Sequence, residues 1–190
     1  MILARPVPIR DWLPDQLPQG DLRSISLHWT AHDYSSVFPA YHFCLAGAVD
    51  VVVHQTHDLR ENMREVYREP ELPYAAHTRG RNSYSIGISI AAMRDATPSD
   101  FGEFPMTQAQ LDAMCRLAAG LARFYEIDVA AIRTHAEAAL DDGYFGAGSD
   151  DLRWDIARLR PSAAPLEPHE ANVTGDWFRK RISELLVHAR

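Results

Sequence analysis

Histidine is the residue type this sequence carries in excess: nine occur, at His28, His32, His42, His54, His57, His77, His135, His169 and His188. Taken alone, a histidine on a strand is more often a hydrogen-bonded core or surface residue than a metal ligand, so position has to select among them. His28 falls on the polar face of an otherwise apolar strand, where a buried imidazole costs free energy unless it finds a partner. His135 follows the apolar stretch IDVAAIRT, at a place where a short strand should end and a loop begin. Asp155 is a carboxylate between Trp154 and Ile156, equally suited to cap a short helix starting at Ile156. Two imidazoles and one carboxylate are also the donor set of a catalytic zinc site with an open fourth position.

The elements that must position these residues follow from periodicity. Residues 23–30, RSISLHWT, alternate Ile25, Leu27 and Trp29 against Ser26, His28 and Thr30, which predicts a strand. Residues 41–46 and 49–54 are two further apolar runs around Gly47 and Ala48, predicting strand, tight turn, strand, with His42 and Cys44 on one face. In SYSIGISIAA, Ile86, Ile88 and Ile90 oppose Ser85, Gly87, Ser89 and Ala91, which predicts a central strand whose small face lets a helix approach. Thr107 and Gln110 form a capping box ahead of Leu111, Met114, Cys115, Ala118 and Leu121, predicting a helix that runs to about Tyr125. Residues 141–151 read as a Gly- and Asp-rich loop and 161–172 as a linker. A last amphipathic helix is expected from about Thr174, with Trp177, Ile182, Leu185 and Leu186 inward. Residues 1–20, with Pro6, Pro8, Pro14 and Pro18, should form an extended arm. The class is α/β, or mixed α+β: a central mixed sheet flanked by helices. A domain over 1–160 is followed by a linker and helix at 161–190 that pack on it.

Composition narrows the partners. A chain of 190 residues with 46% hydrophobic content suits one domain. A net charge of −7 would repel a phosphate backbone, which excludes nucleic acid as a natural partner. No stretch has the length and apolarity of a membrane span or signal peptide, so work on a cell wall would require another export route or lysis. Cys44 and Cys115 are too few for a disulfide framework and sit in apolar surroundings. A cysteine hydrolase with Cys44 as nucleophile and His42 as base is a rival reading, weakened because residues two apart on a strand stand several Å from each other.

The segments SLHWT (26–30), AYHF (40–43), AAHT (75–78), Asn82 with SIGIS (85–89), MTQAQ (106–110), THAE (134–137) and RWDI (153–156) occur in an order that resembles the type-2 N-acetylmuramoyl-L-alanine amidases. That family includes phage lysozyme-type amidases and peptidoglycan recognition proteins, and the prophage type looks nearest. The resemblance implies zinc held by His28, His135 and Asp155, and a peptidoglycan or muropeptide substrate cut between N-acetylmuramic acid and L-alanine; the oligomeric state is left open, with a monomer the default expectation. It places Tyr41 beside the metal's open position and Arg153 where relatives often have lysine, so both could donate to a developing oxyanion. Glu137 could carry a proton to the leaving amine or orient His135. His77 and Asn82 would contact substrate. Ser89 and Ala91 stand where the anhydromuramoyl branch has a glutamate, and Ile156 and Ala157 replace a common Pro-Gly. Two alternatives keep the groove without the chemistry: a non-catalytic peptidoglycan receptor, and a phage-tail or secretion-associated protein.

Overall fold

The structure, a computed structural model, describes residues 7–8 and 17–188. Its strands are β1 (Val7–Pro8), β2 (Ser24–Trp29), β3 (Phe43–Ala46), β4 (Val52–Gln55), β5 (Ser85–Ile90) and β6 (Ile132–Thr134), and its helices α1 (Gln108–Phe124), α2 (His135–Asp141) and α3 (Pro168–His188). The strands form one mixed sheet in the order β1-β4-β3-β5-β2-β6. β5 lies between β2 and β3 and runs parallel to both, β6 is parallel to β2, and β3-β4 and β4-β1 are antiparallel. The fold is mixed α/β, as the alternation of strand and helix periods predicts.

The two faces of the sheet differ as the residue types require. Ile25, Leu27, Phe43, Leu45, Ile86, Ile88 and Ile90 join Leu111, Met114, Leu117 and Leu121 of α1 and Phe178 and Ile182 of α3 in one apolar core. Each such leucine or isoleucine contributes about 1.5–3 kcal/mol when fully buried, which is why β5, with every residue buried, forms the centre of the sheet. The opposite face carries the small and polar residues, among them His28, Cys44, Ser85, Gly87 and Ser89. That small face was expected to receive a helix. It receives His77 instead: a Cβ on Gly87 would lie 2.5 Å from that ring, because the isoleucine face already holds α1.

Several boundaries differ from the periodic reading. β4 starts at Val52, not at 49, since Gly47 adopts φ +92° and the chain turns through 48–51 before pairing resumes. His135 opens a helix rather than a loop, because Thr134 and Glu137 form a second capping box. α3 begins at Pro168 rather than about Thr174 and absorbs the second half of the expected linker. Proline is well suited to a first helical turn, and the Glu167 N–H donates to Glu170 Oε1 at 2.8 Å. The rest of that linker is pinned by Arg158, whose guanidinium donates to the carbonyls of Pro98, Ser162, Ala164 and Pro165 and pairs with Glu170. On α3, Ile182 is buried as expected while Trp177, Leu185 and Leu186 are only partly so, and Phe178 is the larger anchor. Most of the expected arm at 1–20 lies outside the described residues. Within it, Val7–Pro8 pairs with β4, and the Pro18 carbonyl accepts from the Tyr125 hydroxyl at 2.8 Å.

Candidate metal centre and groove

Three elements converge on the polar face of the sheet. β2 delivers His28, opposite Ser89 of β5 in register. β6 ends at Thr134, and the capping box starts α2 with His135 as its first residue: Thr134 Oγ1 accepts from the Glu137 N–H at 3.2 Å and Glu137 Oε2 from the Thr134 N–H at 2.9 Å. The turn at 154–157 brings Asp155, its position fixed by Trp154 packed against Trp29 at 5.2 Å between ring centroids and by its own carbonyl accepting from the Ala136 N–H. No helix starts at Ile156, so Asp155 is not a helix cap. Its carboxylate points to the imidazoles: Oδ2 is 3.0 Å from His28 Nδ1 and 3.2 Å from His135 Nδ1.

The donor atoms of His28, His135 and Asp155 all lie within 4.8 Å of one another, and all three residues are buried. Burial lowers the His28 pKa to about 4 despite the neighbouring carboxylate, so the ring is neutral near pH 7. Burial alone would raise Asp155, but the two imidazoles outweigh it and hold its carboxyl well below the usual range. The cluster therefore holds a buried carboxylate beside imidazole nitrogens, and His135 Nε2 has no hydrogen-bond partner among the described residues. A divalent cation fits this set: imidazole nitrogens and an ionised carboxylate are its usual ligands, and its charge would compensate the carboxylate.

His135 and Asp155 line a groove of about 920 Å³ whose walls also include Tyr41, Tyr67, His77, Arg79, Tyr144 and Arg153. The Tyr41 ring is 5.1 Å from that of His28, and burial, together with the Asp155 charge, raises its hydroxyl above the usual range, so it remains an O–H donor. Arg153 Nη1 donates to the Leu152 carbonyl at 2.7 Å and to the Asp150 carbonyl, which commits part of the guanidinium to bracing the 144–153 loop. Glu137 is 1% exposed. Besides its capping bond its carboxylate pairs with Arg179 of α3 at 2.9 Å and Arg133 at 3.9 Å. His77 and Asn82 both line the groove, but Asn82 Oδ1 accepts from the Thr78 N–H at 2.8 Å and its Nδ2 donates to the Tyr67 hydroxyl at 3.0 Å, so its polar atoms hold the 78–82 turn.

The rival thiol arrangement is not built for nucleophilic work. Cys44 Sγ donates to the Phe38 carbonyl at 3.5 Å, and burial pushes its pKa up to about 11. His42 Nδ1 accepts from the Gly87 N–H at 3.0 Å rather than facing the sulfur. One contact that periodicity could not reveal is Thr78, whose hydroxyl is 3.3 Å from His28 Nε2. Its only trace in the sequence is its place after His77 in AAHT.

With the fold and the ligand cluster in place, the class is defined by comparison: residues 18–150 match the N-acetylmuramoyl-L-alanine amidase family, and the chain belongs to it. The match ends before Arg153 and Asp155. No curated protein matches the chain. Similar solved structures include the N-acetylmuramyl-L-alanine amidase AmiD from E. coli, in complex with the substrate anhydro-N-acetylmuramic acid-L-Ala-D-gamma-Glu-L-Lys, at 20% identity over 67% of this chain and 52% of that one, TM-score 0.43. AmpDh3 from Pseudomonas aeruginosa is 19% identical over 72% of this chain and 58% of that one, TM-score 0.44. The Ph2119 endolysin of the Thermus scotoductus MAT2119 bacteriophage is 16% identical over 67% of this chain and 80% of that one, TM-score 0.42. This chain thus spans just over half the length of the first two. Among the described residues no helix is long and apolar enough to cross a membrane.

Proposed function

We propose that this protein is a zinc-dependent N-acetylmuramoyl-L-alanine amidase that hydrolyses the amide joining N-acetylmuramic acid to L-alanine in peptidoglycan or in muropeptides released from it. The observation that carries this reading is the convergence of His28, His135 and Asp155 within 4.8 Å, with His135 and Asp155 lining a groove of about 920 Å³. These three residues would hold the metal. When bound, zinc supplies Lewis acidity toward the amide carbonyl and lowers the pKa of a coordinated water to about 7.

The chain's own side chains supply the rest. Tyr41, kept protonated by its surroundings, donates its O–H to the carbonyl oxygen as negative charge builds there. Arg153 contributes positive charge from the groove wall through the guanidinium nitrogens not spent on the loop carbonyls, and does not transfer protons. Glu137 acts by holding the start of α2, and with it His135, rather than as a proton carrier, since its carboxylate is taken up by Thr134, Arg179 and Arg133. His77 and Asn82 shape the substrate wall, His77 directly and Asn82 through the turn it pins.

Metal analysis of the purified full chain should give about one zinc per molecule, and mass spectrometry of digested peptidoglycan should show free stem peptides and unsubstituted muramic acid. His28→Ala and Asp155→Ala should each lose both metal and hydrolysis. Wild-type turnover in both variants would end the zinc reading.

A further inference from the structure

Arg179, on α3, reaches back to the chain on both sides of His135. Its Nη1 donates to the carbonyl of Ile132 in β6 at 3.1 Å. Its two terminal nitrogens also meet the two oxygens of Glu137 in α2, Nη1 to Oε2 at 3.1 Å and Nη2 to Oε1 at 2.9 Å. Ile132 precedes His135 by three residues and Glu137 follows it by two. A guanidinium can serve this set because its donors form a rigid planar fork matched to a carboxylate, whereas an ammonium is a single point of charge. The fork is held in turn by Asp176 on the same helix, which accepts from Nη2 at 2.7 Å.

α2 has seven residues, too few for a helix to hold together by its own hydrogen bonds, so the direction in which it presents His135 depends on what ties it down. Ion pairs tie it at each end. At its C-terminal end Asp142 takes both prongs of Arg81 at 2.7 Å, but those side chains are partly open to solvent, where such pairs contribute little. At its start the Glu137 side chain is buried and that of Arg179 mostly so. A buried carboxylate deprived of its cation is strongly unfavourable, and among the described residues the other cation in range is Arg133, at 3.9 Å. Without Arg179 the carboxylate gains by turning toward water. Glu137 Oε2 then releases the Thr134 N–H that it accepts at 2.9 Å, which undoes the first turn of α2.

We propose that Arg179 is a positioning residue for the metal centre: its guanidinium clamps β6 and α2 on either side of His135, so the C-terminal helix, which lies outside the family match, sets how tightly the centre holds zinc. The proposal rests on the reading of His135 as a zinc ligand. Groups that orient a metal ligand without touching the metal are typically worth about 10–100-fold in metal affinity.

The test measures zinc affinity of the full chain by chelator competition, on variants whose far-ultraviolet circular dichroism matches wild type. Arg179→Gln should bind zinc about 10–100-fold more weakly. Arg181→Gln, which removes a charge of the same helix that pairs with Glu184 and with Asp112 of α1, should bind it as wild type does. Combining Arg179→Gln with Glu137→Gln should cost well short of the product of the two single losses, since both act through one pair. Unchanged affinity in Arg179→Gln, an equal loss in Arg181→Gln, or single losses that multiply in the double variant overturns the clamp while leaving the ligand assignment intact. A wild-type protein that takes up no zinc overturns both. Should Arg179→Gln fail to fold, Arg179→Lys decides: it keeps a charge beside Glu137 but cannot hold both oxygens and the Ile132 carbonyl, and wild-type affinity in it overturns the clamp.

Discussion

The carboxylate of Glu137 occupies the space a side chain on Gly175 would need: a Cβ there would lie 2.2 Å from the Glu137 Cδ and Oε2 atoms. A glycine in the first half of α3 thus lets the helix close over the start of α2, where Arg179, one turn further along, completes the ion pair at 2.9 Å. The C-terminal helix, beyond the family match, is in this way packed directly against the element that presents His135.

Gly175→Ala should therefore destabilise the protein, although alanine in an ordinary helix interior gains about 1 kcal/mol over glycine. Overpacking of this kind costs about 1–3 kcal/mol, and here it also displaces a buried ion pair. Thermal melts of the full chain should show a Tm several degrees below wild type. A Tm equal to or above wild type would mean that Glu137 is free to move aside.

Tyr41→Phe removes a donor without changing the shape of the groove. The expected result is a fall in kcat of about 100–1000-fold, the usual cost of one oxyanion donor, with little change in KM. A variant with wild-type kcat would remove Tyr41 from the chemistry.

Both cysteines should resist alkylation. Burial pushes Cys44 up to about 11 and Cys115 up to about 12, so at neutral pH the reactive thiolate is scarce. Incubation of the folded protein with iodoacetamide should leave both thiols unlabelled by mass and muropeptide hydrolysis intact. Rapid labelling of Cys44 with loss of activity would revive the thiol mechanism.

Acid should weaken the fold through its buried histidines before its carboxylates titrate. Burial, aided by the His57 ring at 6.2 Å, lowers His42 from an ordinary 6.5 to about 3 against the opposing pull of Asn62 and Asp58, while the His77 ring faces it at 5.9 Å. Between these values the unfolded chain binds a proton that the folded one refuses. The stabilisation is then complete above about pH 6.5 and is lost progressively as the pH falls toward about 3. The Tm of metal-free protein should decline from about pH 6.5 downward, with a shallower decline in His42→Gln. A Tm flat to about pH 4.5 would contradict the neutral buried ring.

How much of this could be read in advance depended on the range of the interaction. The sheet was legible because Ile86, Ile88 and Ile90 alternate with small residues, and α1 because Thr107 and Gln110 announce its first turn. The same signal at Thr134 and Glu137 passed unread, since α2 has only seven residues and offers no periodicity to support it. The start of α3 was hidden by prolines and by an Arg158 whose partners are mostly backbone carbonyls, which have no residue signature. Local position singles out His28, His135 and Asp155 one at a time, but that they meet is implied by the likeness to a family rather than by spacing, since His28 and Asp155 are 127 residues apart. Thr78 had neither aid: its contact with His28 spans 50 residues.

The Arg158 clamp bears on how the gene can be shortened. A product that stops at residue 150, where the family match ends, would be missing Asp155, the guanidinium that ties 98 to 162–170, and the helix packed behind His135. Such a fragment would lose Trp154, Ile156, Phe178 and Ile182 from the core along with the carboxylate of the candidate metal centre. Expression boundaries drawn from the match alone would then measure a truncated core rather than the site it supports.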